Sequence, residues 1–296
     1  MDKYIPLTVA IPTYKRCKDV VSLVGAILPQ LHEEDELLVV DDGSQDGTAQ
    51  CLESIKRIRL ISNLSNQGMV KTWNKCLTSA SNEWICFVHD DDTIAPEALK
   101  TIRKACSLIS EPALIAHHSL DVDLDSCFRY RVVEPGAWAV QHSTLVPSGV
   151  TIHKYIIDSI GLFDEQFTYS PDIEYFARIC SKFTSIRIES PHVLSFNLHN
   201  ENYEYKTWCK PDFFTQLEKI EMLVGTYSGL SQDAVLRYFN YRMNQHIKHM
   251  LQYSSRADDK TLLQKVSLII RSKPYLWRRN RVNTQVAALL NWSPNF

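Results

Sequence analysis

The first hundred residues alternate between short apolar runs and longer segments with helical spacing. Leu7-Thr8-Val9-Ala10-Ile11-Pro12 reads as a buried strand closed by proline, with Thr13-Tyr14-Lys15-Arg16 as a polar loop after it. From Asp19 to Leu31, apolar Val20, Val21, Val24, Ile27, Leu28 and Leu31 recur at helical intervals. Glu36-Leu37-Leu38-Val39-Val40 is a second buried strand. It runs into Asp41-Asp42-Gly43-Ser44-Gln45-Asp46-Gly47-Thr48, a turn that leads into a helix. Ile58-Arg59-Leu60-Ile61 is a short third strand, residues 68–80 have helical spacing, and a fourth strand begins at Trp84 and ends at His89. Repeated strand–helix alternation predicts a parallel α/β sheet. Ligands of such sheets bind outside the carboxyl ends of the strands. Pro12-Thr13, Asp41-Asp42 and Asp90-Asp91-Asp92 all fall there, so three polar loops distant in sequence converge on one edge.

The fourth strand, Trp84-Ile85-Cys86-Phe87-Val88-His89, stops at three consecutive aspartates. Like charges ~4 Å apart repel by ~4 kcal/mol at an effective dielectric of ~20. Solvent, basic side chains or a divalent cation must offset this. Mg²⁺ and Mn²⁺ prefer oxygen ligands, and Mg²⁺ is usually shared between one or two carboxylates and substrate phosphates. Alone, the triplet is equally a solvated acidic turn. No Gly-x-Gly-x-x-Gly follows the first strand, and no Gly-x-x-x-x-Gly-Lys-Ser/Thr occurs. Bound phosphates would therefore be neutralised by a metal rather than cradled by a glycine-rich loop.

Four segments in order carry a resemblance: Pro12-Thr13-Tyr14; Val40-Asp41-Asp42-Gly43-Ser44 with Asp46 and Thr48; Asn66-Gln67-Gly68; and Phe87-Val88-His89-Asp90-Asp91-Asp92. Over roughly the first hundred residues the chain resembles the nucleotide-binding half of the GT-A glycosyltransferases of family 2. The resemblance implies a Rossmann-like α/β fold, a mostly parallel central sheet flanked by helices. It also implies an inverting transfer of a sugar from a nucleoside diphosphate sugar, UDP by family habit, aided by Mn²⁺ or Mg²⁺. The acceptor it implies is a hydroxyl of a glycan or lipid-linked saccharide, as in polysaccharide biosynthesis. By the same resemblance Pro12, Thr13, Tyr14, Asp42 and Asp90 bind the nucleotide. Asp91 is the principal metal ligand and Asp92 a second candidate. Where many members have Ala-Arg-Asn, this chain has Thr72-Trp73-Asn74, so the missing cation would come from Lys71 or Lys75. Trp73 is expected in the core.

The middle of the chain is less legible. Ala113–Leu120 and Phe128–Val133 read as strands, and Asp121, Asp123 and Asp125 as a solvated loop without the EF-hand pattern. Pro147-Ser148-Gly149-Val150-Thr151-Ile152 reads as a strand crossing back, and the resemblance places Ser148 and Gly149 beside the donor sugar or acceptor. Ser170 fits an N-cap and Pro171 the first helical residue. Asp172 then lies in the first turn, where an acid also favours the helix dipole. The resemblance makes Asp172 the catalytic base, with Glu174 and Asp164 as alternatives; Glu174 should face away from Asp172. Pro191 to Asn200 alternates like an edge strand. The resemblance makes His199 a candidate for the metal or diphosphate, and His89 is similarly placed.

From Lys210 onward the pattern is helical. Phe213, Phe214, Leu217, Ile220, Leu223 and Val224 form one apolar face, and Val235, Leu236, Phe239, Met243, Ile247 and Leu251 another. The expected division is a catalytic domain over 1–205, with its nucleotide-binding half over 1–110 and acceptor half over 111–205, and a helical extension over 206–296. Residues 261–296 carry Lys265, Arg271, Lys273, Arg278, Arg279 and Arg281 beside Tyr275, Leu276 and Trp277, and no acid. This suits a peripheral contact with an anionic leaflet, a solvated face or a subunit contact in a homo-oligomer.

Composition narrows the classes. The chain has 296 residues, 45% hydrophobic and 22% charged, with a formal net charge of −2, which gives no case for nucleic-acid binding. No apolar run approaches ~20 residues, and Met1-Asp2-Lys3-Tyr4-Ile5-Pro6 lacks a signal-peptide pattern. The expected location is the cytoplasm, with or without contact at the inner membrane face. None of the eight cysteines forms a Cys-x-x-Cys pair, so zinc and a disulfide framework are unsupported and most should be small buried hydrophobes. A subunit that keeps the fold and binds nucleotide sugar without catalysis is the alternative function. It would more readily have lost Asp91 or Asp172. A nucleotidyltransferase fits less well for want of a glycine-rich loop.

Overall fold

A computed structural model describes residues 4–117, 127–141, 145–195 and 212–256, with residues 210, 264 and 268 besides. The chain divides into two compact units, residues 1–198 and 199–296. In the first unit, β1 (Leu7–Thr13), α1 (Cys17–Ile27), β2 (Glu36–Asp41), α2 (Thr48–Glu53), β3 (Ile58–Ser62), α3 (Met69–Ser79) and β4 (Trp84–Phe87) follow the expected alternation. Then come β5 (Thr93–Ile94), α4 (Ala98–Cys106), β6 (Leu114–His117), β7 (Arg129–Val133), α5 (Ala137–Gln141), β8 (Thr151–His153), α6 (Lys154–Ile160), α7 (Pro171–Cys180), β9 (Ser185–Ser190) and β10 (Leu194–Ser195).

Eight strands form one sheet in the order β3-β2-β1-β4-β8-β6-β9-β7. The β3-β2-β1-β4 run is parallel, as is β6-β9, while β8 and β7 run antiparallel to their neighbours. Period-two side-chain alternation loads both faces. Leu7, Val9 and Ile11 of β1 and Leu37 and Val39 of β2 pack with Val20, Val24 and Ile27 of α1 and Leu99 and Ile102 of α4. Ala10, Leu38 and Val40 point the other way, with Val70, Trp73 and Leu77 of α3, Ile156 of α6 and Tyr175 and Phe176 of α7. The result is a three-layer α/β fold of the GT-A kind.

The order has a direct consequence for function. The chain builds outward from β1 through β2 to β3, then returns to place β4 on the other side of β1. The carboxyl ends of β1 and β4 therefore flank a topological switch point, where loops diverge and leave a crevice. Thr13 ends β1 and Asp90–Asp92 follow β4, so both lie at that crevice.

Some expectations shift. The predicted Pro147–Ile152 strand is a turn through Val150, with β8 starting at Thr151, and α6 and β9 carry no strong sequence signal. Ser170 occupies the N-cap position with left-handed backbone, φ 47°, and makes no side-chain cap bond. The expected residues 118–120 of the sixth strand, the Asp121–Asp125 loop and His199 lie outside the described residues.

In the second unit, α8 (Phe213–Tyr227) and α9 (Gln232–Arg256) bury the expected apolar stripes; Leu223 is half-buried and Leu236 exposed. Buried Glu221 of α8 accepts from Arg242 Nε at 3.0 Å and lies 2.6 Å from His246 Nε2, both on α9. Burial opposes its charge, but His246 and Arg242 outweigh that and hold the carboxyl below its ordinary range. Among the described residues no helix is long and apolar enough to cross a membrane. The basic stretch at 261–296 lies outside the described residues, except positions 264 and 268.

Candidate active site

The site is built where β1, β2 and β4 end. Thr13 is 4% exposed, and its hydroxyl donates to Asp90 Oδ2 at 2.7 Å, joining the loops after β1 and β4. Asp42, 3% exposed, holds the next loop. Its carboxylate accepts from Gln67 N–H at 2.8 Å, Gly68 N–H at 2.9 Å and Asn63 Nδ2 at 2.9 Å. Its own N–H donates to Thr13 carbonyl at 2.9 Å. Asp42 thus organises Asn66-Gln67-Gly68 at the start of α3. Gly43 is required beside it: with φ +73°, a Cβ there would stand 2.6 Å from Ser65 carbonyl carbon. Asp41 is also buried and accepts from the Ser44 hydroxyl at 2.5 Å.

The aspartate triplet is divided by its surroundings. Asp90 is buried, and burial pushes its carboxyl up to about 6 against the lowering effects of Thr13 and Arg16. Asp91 and Asp92 are half-buried, and with His89 they bring one ligand atom each within 4.8 Å of one another. His89 Nε2 is buried with no hydrogen-bond partner. Its burial pushes the imidazole down to about 4, so it is neutral and has a free lone pair near pH 7. Two carboxylates and an orphaned imidazole nitrogen suit a divalent cation such as Mn²⁺ or Mg²⁺. This grouping joins Asp91 and Asp92, the expected ligands, to His89, while His199 lies outside the described residues.

The positive charge at this cluster comes from Arg16, which the sequence reading passed over. Its guanidinium pairs with Asp91 and lies 3.4 Å from Asp90 Oδ1. It offsets the repulsion between adjacent carboxylates. Lys71 and Lys75, the expected cation sources, stand exposed on α3. A metal and Arg16 would compete for the Asp91 carboxylate. Partly exposed ion pairs contribute up to about 1 kcal/mol. Arg16→Met should therefore tighten Mn²⁺ binding to the nucleotide-free protein by up to about fivefold. A Mn²⁺ titration followed by electron paramagnetic resonance measures this, and weaker binding in the variant would remove Arg16 as a competitor.

Below the triplet, the turn before β8 acts as a floor. Gly149 N–H donates to Phe87 carbonyl at 2.6 Å, and His89 N–H donates to the Ser148 hydroxyl at 2.9 Å. Ser148 is fully buried. A Cβ on Gly149 would fall 2.1 Å from His117 Nε2. The structure therefore gives both residues close support contacts beneath His89.

An aromatic relay connects this floor to α7. Trp73, buried as expected, lies 5.3 Å from His89 and 5.1 Å from Phe163 between ring centroids. Phe163 lies 4.0 Å from Tyr175. Asn74 latches the same segment, exchanging two hydrogen bonds of 3.0 Å with Phe163 carbonyl and N–H. So α3 positions the loop that leads into α7, where Asp172 sits half-buried in the first turn. Glu174 is buried against Arg178, with contacts of 2.8 and 3.0 Å. Asp164 accepts from Gln166 N–H at 2.9 Å within its own turn. Of the expected nucleotide residues, Pro12 is buried within β1 and Tyr14 is 38% exposed beside Thr13.

Residues 8–134 match the family described as glycosyl transferase family 2. That match makes the segment holding β1 to β4 similar to this family. An uncharacterized glycosyltransferase of Rickettsia typhi is 22% identical, covering 98% of this chain and 96% of that protein. Among solved structures, S. aureus TarS in complex with UDP-GlcNAc superposes with a TM-score of 0.66 at 19% identity, over 88% of this chain and 78% of that one. The mannosyltransferase PcManGT of Pyrobaculum calidifontis, in complex with GDP-Man and Mn²⁺, gives a TM-score of 0.58 at 14% identity, over 96% of this chain and 84% of that one. These likenesses establish the GT-A fold. The motifs that carry the resemblance coincide with the switch-point loops, and Arg16, Asn74 and His89 make contacts at or beneath them. The arginine was visible in the first polar loop, but nothing local in sequence says that it turns toward residues 90 and 91.

Proposed function

We propose that this protein is a glycosyltransferase that moves a sugar from a nucleoside diphosphate sugar, a UDP-sugar in the first instance, to a hydroxyl of a glycan or lipid-linked saccharide, with inversion. The observation that carries this is the meeting of Asp42, Asp90 and the His89–Asp91–Asp92 cluster at one switch point. Pro12, Thr13, Tyr14, Asp42, Lys71 and Asp90 form the nucleotide side. Asp91 and Asp92, with His89 beside them, would hold Mn²⁺ or Mg²⁺. A bound cation supplies Lewis-acid stabilisation of the leaving diphosphate. Arg16, paired with Asp90 and Asp91, would contribute positive charge on the same side of the site. Ser148 and Gly149 form the floor under the donor sugar.

Inversion requires the acceptor hydroxyl to approach the face opposite the leaving group, and its proton needs a base within hydrogen-bond reach. Asp172 takes that proton. The UDP-GlcNAc and GDP-Man found in the two structural neighbours support a nucleotide-sugar donor and leave the base undecided. The basic segment at 261–296 would hold the enzyme at the inner membrane face, where a lipid-linked acceptor is presented. The test is to incubate the full chain and Mn²⁺ with UDP- and GDP-sugars and follow release of nucleoside diphosphate, with and without candidate saccharide acceptors. Acceptor-stimulated release from one donor, with an inverted anomeric bond in the product by NMR, is expected. Absence of release from every donor would contradict the catalytic reading.

A further inference from the structure

Two sulfurs meet between α1 and α2. Cys17 opens α1 and Cys51 lies on α2, 34 positions later, with their Sγ atoms 2.7 Å apart. That is well inside ordinary sulfur–sulfur contact and less than an ångström beyond the ~2.0 Å of a disulfide bond. Cys51 is exposed and Cys17 half-buried, whereas Cys76, Cys86, Cys106 and Cys180 are buried. Hydrogen bonds independent of the thiols fix the two segments. Lys15 N–H donates to the Ser44 hydroxyl at 2.7 Å, Asp46 accepts from the Thr48 hydroxyl at 2.5 Å, and Cys51 N–H donates to Gly47 carbonyl at 3.0 Å. The Asp46 carboxylate also accepts from Cys17 N–H. The fold, rather than side-chain chance, brings these cysteines together.

We propose that Cys17 and Cys51 are a reversible disulfide site that clamps the two loops of the donor crevice. Cys17 directly follows Arg16, the partner of Asp90 and Asp91. Cys51 lies in the helix that follows the Asp41–Thr48 turn, which carries Asp42. A covalent link between them fixes the Arg16 segment against the Asp42 segment. The oxidant is a low-molecular-weight disulfide. Exposed Cys51, as thiolate, attacks it, forms a mixed disulfide and expels one thiolate. Cys17 then loses its proton and attacks the Cys51 sulfur, forming the Cys17–Cys51 bond and expelling the second thiolate. Two protein thiols are oxidised and one small disulfide is reduced to two thiols.

The experiment treats the folded full chain with oxidised glutathione, then blocks free thiols, digests and analyses peptides by mass spectrometry. A cross-linked peptide pair containing Cys17 and Cys51, lost on reduction by dithiothreitol, is expected. Cross-linking a loop of this length restricts the unfolded chain, so the oxidised protein should melt several degrees above the reduced one. Cys51→Ser should abolish both effects, whereas Cys127→Ser should keep both. Separate blocking of Cys17 and Cys51 after oxidation, or linkage of either to another cysteine, would overturn the site. A cross-link that forms without raising the melting temperature would overturn the clamp.

Discussion

Replacing Asp172 by asparagine should leave the donor bound and cut transfer by about 10²–10⁴-fold, the usual contribution of a positioned general base. The substitution keeps the size of the side chain in the first turn of α7, so the helix should persist. Its amide cannot accept the acceptor's proton. The surroundings favour this residue over its neighbours: Glu174 is committed to Arg178, and Asp164 to its own turn. Parallel donor titration and initial-rate measurement separate the two effects. Full transfer in the variant would remove Asp172 as the base. Loss of both donor binding and transfer would make it a structural residue of the site.

Asp42→Ala should destabilise the catalytic unit by about 1.5–3 kcal/mol, because it removes a charged acceptor shared by three donors. The carboxylate serves two backbone N–H groups and the Asn63 amide while almost wholly buried. Alanine takes this charged acceptor away from the N–H groups of exposed Gln67 and half-buried Gly68. Urea denaturation with an unchanged slope would report the loss as a lower midpoint. Asp42→Asn keeps one acceptor and should retain part of the stability. A midpoint like that of the wild type for Asp42→Ala would show that the loop finds other partners. Nucleotide affinity should fall with the same substitution, since the loop that Asp42 organises opens the donor crevice.

Most of the first half of this architecture was legible in the chain. Strands such as Leu37-Leu38-Val39-Val40 are continuous apolar runs because both faces of a parallel sheet are covered. Glycine and aspartate then mark the turns. The second half was harder for a physical reason. Ser185–Ser190 reads Ser-Ile-Arg-Ile-Glu-Ser, a strand with polar ends next to an antiparallel edge, and its signal is weak over six residues. The turn at Pro147–Val150 has strand-like composition, but Gly149 must take φ +79° to pass His117. In the site, residue types were readable and pairings were not. Arg16 reaches residues 74 and 75 positions away, and Asn74 reaches Phe163 89 positions away. Only the sheet order fixes such distances. Cys17 and Cys51 belong to the same class, since no Cys-x-x-Cys spacing announces them.

The most direct test of the central claim is calorimetric titration of UDP, GDP and dTDP into the full chain, with Mn²⁺, with EDTA, and with Asp91→Asn in place of the wild type. The account predicts saturable binding of one of these nucleotides in Mn²⁺, lost or sharply weakened by EDTA and by the substitution. Equal binding in EDTA and Mn²⁺, or no binding of any of the three, would contradict a metal-assisted nucleotide-sugar site at Asp91.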